Sequence, residues 1–258
     1  MDLQQIASFY PAKLRDEAES LLREYLQYEM LRAIFESKYA HKYTFLGGTC
    51  LRIAYGTERF SEDLDFDNDG LDQAEFEQTA EYVKYRMELL GFKVRLKFTY
   101  KGAFHCKVTY PALLFDYSLS GHKEASMFIK LDTEKQGYGY ESELHRLDKF
   151  DVTTDIRVIP LSLLASQKIA AIMGRKRPKG RDFYDLRWVL AKVMPDYGYL
   201  THKLNISTPD QLRKAVSDRI ELFDFTALTN DVAQFLMNIE DAHLVQTFPT
   251  YWQTVKLG

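Results

Sequence analysis

The stretch that decides the fold runs from Phe45 to Asp67 and reads FLGGTCLRIAYGTERFSEDLDFD. Residues 43–46, Tyr-Thr-Phe-Leu, form a short β-rich run that stops at Gly47-Gly48. Residues 49–55 then read as a short helix closing near Gly56. Strand, glycine turn and helix in that order aim backbone N–H groups and a helix N-terminus at an anion. Residues 59–67 read as a second strand. Its period of two puts Arg59, Ser61, Asp63, Asp65 and Asp67 on one face, with Phe60, Leu64 and Phe66 on the other. Two carboxylates at i and i+2 suit a hard divalent cation with oxygen ligands, Mg²⁺ or Mn²⁺. A tight turn beside a solvated acidic strand would give the same letters. The close spacing of the glycine turn and the acidic pair favours a site instead, with Gly47, Gly48 and Thr49 on phosphates and Asp63 and Asp65 on the metal.

Working outward, residues 11–39 carry helical periodicity, with Leu14, Ala18, Leu21, Leu22, Tyr25 and Leu26 at three- and four-residue steps. Residues 71–90 repeat that pattern through Phe76, Ala80, Val83, Met87 and Leu90, and Gly91 follows as a stop. Strands are predicted around 92–100, 105–110, 113–117 and 126–133. Residues 136–155 turn polar and Gly/Tyr-rich and read as a loop, with a short strand predicted at 155–159. Beyond Pro160 the chain reads as mostly helical: 160–174, 181–192, a Thr208-Pro209 helix start, and 224–238. The expectation is an α/β protein, a mixed sheet with flanking helices in residues 1–155 and a helical part in 156–258.

Composition narrows the function. The 258 residues are 46% hydrophobic and 28% charged with a formal charge of −3, ordinary for a globular chain. No global basicity advertises a nucleic-acid partner, so any polyanion site must be a local cluster. The two cysteines, Cys50 and Cys106, form neither a disulfide framework nor a metal-ligand spacing, which suits a reducing cytosol. There is no signal-peptide pattern at the N-terminus and no apolar run long enough to span a membrane.

Two further segments supply what the opening stretch lacks. Two-metal nucleotidyl transfer calls for a third carboxylate that helps activate the attacking hydroxyl. Asp132, at the end of SMFIKLD and opposite the apolar face of its strand, is the candidate; Glu134 shares its face, and a solvated strand end is the alternative. Downstream, LLASQKIAAIMGRKRPKGRDFYDL embeds Lys168 in an apolar helix with Arg175 seven residues on. Arg175, Lys176, Arg177, Lys179 and Arg181 put five cations in seven residues, the local cluster that the acidic balance required. A lysine there either snorkels or meets an anion: a triphosphate, or a structural partner such as Asp182 or Asp185. Asp182 and Asp185 share one face of the next helix.

GGTCLR followed by RFSEDLDFD resembles the AbiEii/AbiGii toxin family of polymerase-β-like nucleotidyltransferases. Arg59, Ser61, Asp63, Leu64, Asp65 and Phe66 match the family's strand motif, and Lys168, Arg175 and Arg181-Asp182…Asp185 match its helical motifs. The resemblance implies a toxin of a toxin–antitoxin pair, cytoplasmic and associated with phage defence, with a cognate antitoxin as partner. It implies transfer of a nucleotide from an NTP to RNA, with the tRNA 3′ end as the expected acceptor. A protein hydroxyl as acceptor, or NTP binding without catalysis, are the competing readings. The implied roles are metal ligation by Asp63, Asp65 and Asp132, and nucleotide contact by Gly47, Gly48, Thr49, Arg59, Ser61, Lys168 and Arg175. Asp132 would activate the acceptor, Lys168 would stabilise the leaving pyrophosphate, and Asp182 and Asp185 would support the cations.

Overall fold

The alternating segments pair into a single seven-stranded mixed sheet in the computed structural model, which describes residues 1–258. In chain order the elements of this part are α1 (Leu3–Ser8), α2 (Ala18–Phe35), β1 (Tyr43–Leu46), α3 (Gly47–Ile53), β2 (Leu64–Asn68) and α4 (Gln73–Leu89). They continue as β3 (Arg95–Tyr100), β4 (Phe104–Tyr110), α5 (Leu113–Asp116), β5 (Met127–Thr133), β6 (Glu143–Lys149) and β7 (Val152–Val158). The strand order is β3-β4-β5-β2-β1-β7-β6. β2 runs parallel to β5 and β1 parallel to β7, while the other neighbours are antiparallel.

One face of the sheet is the core. Phe45, Phe66, Val108, Ile129 and Leu131 are buried there with Leu26, Met30 and Ile34 of α2 and Phe76, Val83 and Met87 of α4. Each such side chain contributes about 1.5–3 kcal/mol of burial free energy, so the alternation itself fixes which face looks inward. The Asp72–Glu75 capping box starts α4 by satisfying two orphan donors. A buried ion cluster ties the glycine helix to the core: Glu24 of α2 takes Arg52 of α3 at 2.8 Å and Lys149 of β6 at 2.8 Å.

The chain divides into two units, one of Met1–Ala54, Phe60–Gly137 and Ser142–Val158, the other of Tyr55–Arg59, Tyr138–Glu141 and Ile159–Gly258. The second unit is helical: α6 (Leu161–Gly174), α7 (Gly180–Leu190), α8 (Tyr197–Leu204), α9 (Pro209–Ile220), α10 (Phe225–Ala233), α11 (His243–Gln246) and α12 (Phe248–Thr254). Thr208 caps α9 with Pro209 at its first turn, as predicted. Phe183, Phe225, Phe248 and Trp252 form its aromatic centre, with ring centroids 5.0–5.9 Å apart along the chain Phe225–Phe183–Phe248–Trp252.

Four expectations need correction. The helix predicted at 11–39 begins only at Ala18, after a 3₁₀ turn at Ala12–Leu14. The strand predicted at 59–67 begins at Leu64, because side chains take its backbone acceptors: Gln27 Nε2 donates to the carbonyls of Ser61 and Glu62, and Thr49 to that of Asp63. Residues 113–116 are a helical turn entered through Ala112 at φ 58°, not a strand. The predicted loop at 136–155 contains a hairpin, β6–β7, turning at Phe150 and Asp151 with φ of 58° and 59°. Two left-handed residues in succession match the right-handed twist of a hairpin, but neither residue is the glycine or asparagine that signals one. The ring of Phe150 holds the turn instead, 5.6 Å from Tyr25 and 5.2 Å from Tyr28.

Candidate active site

Register assembles the acids. Asp65 of β2 lies opposite Asp132 of β5, and Asp132 lies opposite His105 of β4. Side chains at paired positions project to one face, so His105, Asp132 and Asp65 form a row across three strands at roughly 4.8 Å steps. His105 Nδ1 is 3.0 Å from Asp132 Oδ1. Asp63 sits just before β2, where its Oδ1 accepts the Lys130 backbone N–H at 3.3 Å and its Oδ2 lies 3.3 Å from Lys130 Nζ. Glu134 lies past the end of β5, exposed, with its N–H donated to the Phe66 carbonyl.

The glycine turn presses against this row. Gly47 has a φ of 81°, and a Cβ there would lie 2.6 Å from Asp65 Oδ2. Only glycine permits both that backbone and that approach. Gly48 follows in the first turn of α3. Thr49 is buried, and its hydroxyl donates to the Asp63 carbonyl and shares a 2.9 Å hydrogen bond with Ser61 Oγ. Thr49 and Ser61 therefore hold the loop that presents Asp63.

Burial raises the Asp132 carboxyl above its usual range. His105 and Lys130 oppose the shift, while the negative charge of Asp63 adds to it. Proximity of like charges in a half-buried place is a standing electrostatic cost that a cation relieves. No group of three or more His, Cys, Asp or Glu side chains forms a ready-made metal cage. The donor set nevertheless suits Mg²⁺, which is commonly held by one or two carboxylates with waters and substrate phosphates completing the shell. Asp65 and Asp132 are hard oxygen donors on adjacent strands, and Asp63 is held by the backbone N–H of Lys130 and by a part-exposed ion pair with its side chain, of small energetic weight.

The remaining predicted residues lie in the helical unit, in a centre of a different kind. Arg59 grips Asp185 bidentately, Nε to Oδ1 at 2.5 Å and Nη2 to Oδ2 at 2.6 Å, with side chains 1% and 0% exposed. Arg59 is thus removed from the acidic face where strand periodicity had placed it. Lys168 Nζ is 2.6 Å from Asp185 Oδ2 and 3.9 Å from Asp182 Oδ1, and Arg175 reaches Asp182 at 2.5 Å. Burial works to raise the Asp185 carboxyl, but Arg59 and Lys168 outweigh it and hold the group below its usual range. Of the two partners foreseen for Lys168, the structure contains the structural one. Gly180 divides the basic cluster because a Cβ there would lie 1.9 Å from the Leu228 carbonyl.

His105 and Lys130 escaped the sequence reading. Both lie on the polar face of alternating strands, but only the register shows which acid each meets.

The model of the nucleotidyl transferase AbiEii toxin family, a type IV toxin–antitoxin system, matches residues 29–250. The chain belongs to that family. MenT4, a nucleotidyltransferase toxin from Mycobacterium tuberculosis, shares its fold with a TM-score of 0.60 at 15% identity, over 99% of this chain and 91% of that one. JHP933 from Helicobacter pylori superposes with a TM-score of 0.55 at 17% identity, over 91% of each chain. No curated protein sequence matches this AbiEii-family chain. No helix is long and apolar enough to cross a membrane.

Proposed function

We propose that this chain transfers a nucleoside monophosphate from an NTP to an RNA hydroxyl, with the tRNA 3′ end as the acceptor. The observation that carries the reading is the row of His105, Asp132 and Asp65 with Asp63 beside it, on the sheet face turned away from the core. In the reaction the acceptor oxygen attacks the α-phosphate, its proton passes to Asp132, and the bond to pyrophosphate breaks. Asp132 suits the proton-accepting role by its place opposite Asp65 and its 3.0 Å contact with His105, which orients it. Mg²⁺ or Mn²⁺ held by Asp63, Asp65 and Asp132 would neutralise charge on the phosphates. The left-handed turn at Gly47 lets the start of α3 approach Asp65 closely, and Thr49 and Ser61 keep Asp63 in place. The reaction depends on positioning and charge neutralisation more than on covalent chemistry.

The test incubates the protein and Mg²⁺ with labelled NTPs, separately with total tRNA and with total protein. We expect label in tRNA, and a loss of at least about 100-fold in Asp63→Ala and Asp65→Ala with the melting temperature kept within a few degrees. Full activity in both variants, or label confined to protein, would overturn the proposal.

A further inference from the structure

The sheet face that carries the acids also carries a line of three lysines, of which Lys130 alone is paired with a carboxylate, that of Asp63. Lys97 of β3 is the register partner of Lys107 of β4, and Lys107 is the partner of Lys130 of β5. All three are exposed. The line ends at Asp63, which meets only Lys130. Neither Lys97 nor Lys107 faces a carboxylate directly across a strand. Like charges directly opposite one another destabilise a sheet, so the Lys97–Lys107 pair works against it. A chain with a net charge of −3 has acids to spare for this face, yet the positions hold lysine.

The surroundings indicate what the line is for. One register step towards the acids comes the row of Thr99, His105, Asp132 and Asp65, about 7 Å away. One step the other way comes the row of Arg95, Thr109 and Phe128. Phe128 is 41% exposed, and Lys107 Nζ sits 4.0 Å from its ring centroid. The order across the face is therefore aromatic with arginine, then lysines, then the acid row. Cations interleaved with an exposed ring suit a single nucleic-acid strand, whose phosphates meet the cations while a base stacks on the ring. The lysine line spans about 10 Å and continues through Arg95 away from the acids, so it serves several phosphates rather than one compact group.

We propose that this face, Arg95, Lys97, Lys107 and Phe128 with Lys130 at its inner end, is the docking track for the single-stranded end of the acceptor RNA. The track leads the terminal hydroxyl to Asp132. The inference rests on the RNA-acceptor reading above, and its test separates the two.

The experiment measures equilibrium binding of a fluorescein-labelled twelve-nucleotide oligo(A) and of total tRNA to the full chain, over a range of salt. Binding of ATP with Mg²⁺ is measured in parallel by calorimetry. In Lys97→Gln/Lys107→Gln we expect at least a tenfold loss of oligonucleotide affinity and a salt slope shallower by about 1.4, the loss of two single-strand phosphate contacts. ATP affinity should stay within twofold, and the melting temperature should not fall, since the substitutions remove repulsion. Phe128→Ala should weaken the oligonucleotide at least fivefold with the salt slope unchanged, because stacking is not ionic. Unchanged oligonucleotide affinity in the double variant overturns the track, as does a loss confined to ATP. Binding is read without turnover, so a wild-type protein that binds RNA through these residues but labels none of it breaks the transferase proposal and leaves the track standing.

Discussion

Two centres in this protein are built from the same residue types and behave as opposites. In the helical unit Arg59 and Lys168 share the carboxylate of Asp185, which is 0% exposed, with Arg59 1% and Lys168 12% exposed. On the sheet face Asp65 and Asp132 are register partners with Asp63 just before β2, and the basic neighbours Lys130 and His105 are part-exposed. The environment drives the two groups of acids apart: Asp185 is held below its usual range and Asp132 above it. The comparison teaches that sequence proximity to a functional motif does not tell a reacting charge from a structural one. Arg59 sits four residues from Asp63, yet its guanidinium is fully engaged as an internal brace.

The sealed centre gives the largest expected effect. Asp185→Ala leaves the buried Arg59 without its acid and Lys168 with only the more distant Asp182, and should cost about 3–5 kcal/mol, read as a fall of roughly 6–20 °C in melting temperature. The triple replacement Arg59→Met, Lys168→Met, Asp185→Leu should recover most of that loss, because no unpaired charge stays buried. A mild effect of Asp185→Ala would show that the centre is less sealed than its geometry and would collapse the contrast.

A second measurement isolates the open centre. Gly47 and Gly56 share a φ of 81°, but a Cβ at Gly47 meets Asp65 while one at Gly56 meets nothing within 4 Å. Both alanine variants should lose about 1 kcal/mol for the left-handed backbone. Only Gly47→Ala should also lose nucleotide transfer, by about tenfold or more, because Asp65 must move. Equal activity in the two variants would mean that the close approach to Asp65 is incidental.

The smallest and most diagnostic effect is the order in which acid acts. Asp185 has a lowered folded pKa, so its stabilisation is complete above the unfolded value near 3.9 and is lost only as pH falls below that. Asp132 has a raised pKa, so its basic form is lost earlier on the way down. At low fixed Mg²⁺, kcat/KM should begin to fall at a higher pH than the melting temperature does as the solution is acidified. Simultaneous decline would place both carboxylates in one environment.

Much of this was legible in the sequence. The GGT turn, the Asp63–Asp65 pair, the α4 stripe and the fold class all follow from periodicity and glycine chemistry. Asp132 was reachable because KLD sits on the polar phase of a strongly alternating strand. Its contact with His105 was not, since pairing register is a tertiary property. The Phe150–Asp151 turn was hidden because ordinary side chains occupy left-handed positions there. Arg59 misled because period-two reasoning ran past the point where Gln27 and Thr49 capture the backbone and the ladder has not begun.

The parallel pairing of β2 with β5 also bears on how the protein is made. These neighbours are distant in the chain, and α4, β3, β4 and α5 all emerge from the ribosome between them. A nascent or truncated chain ending before Met127 holds Asp63 and Asp65 but has no strand to bring Asp132 beside them. The acid row therefore depends on a pairing that cannot form until Thr133 has been made, about halfway along the chain.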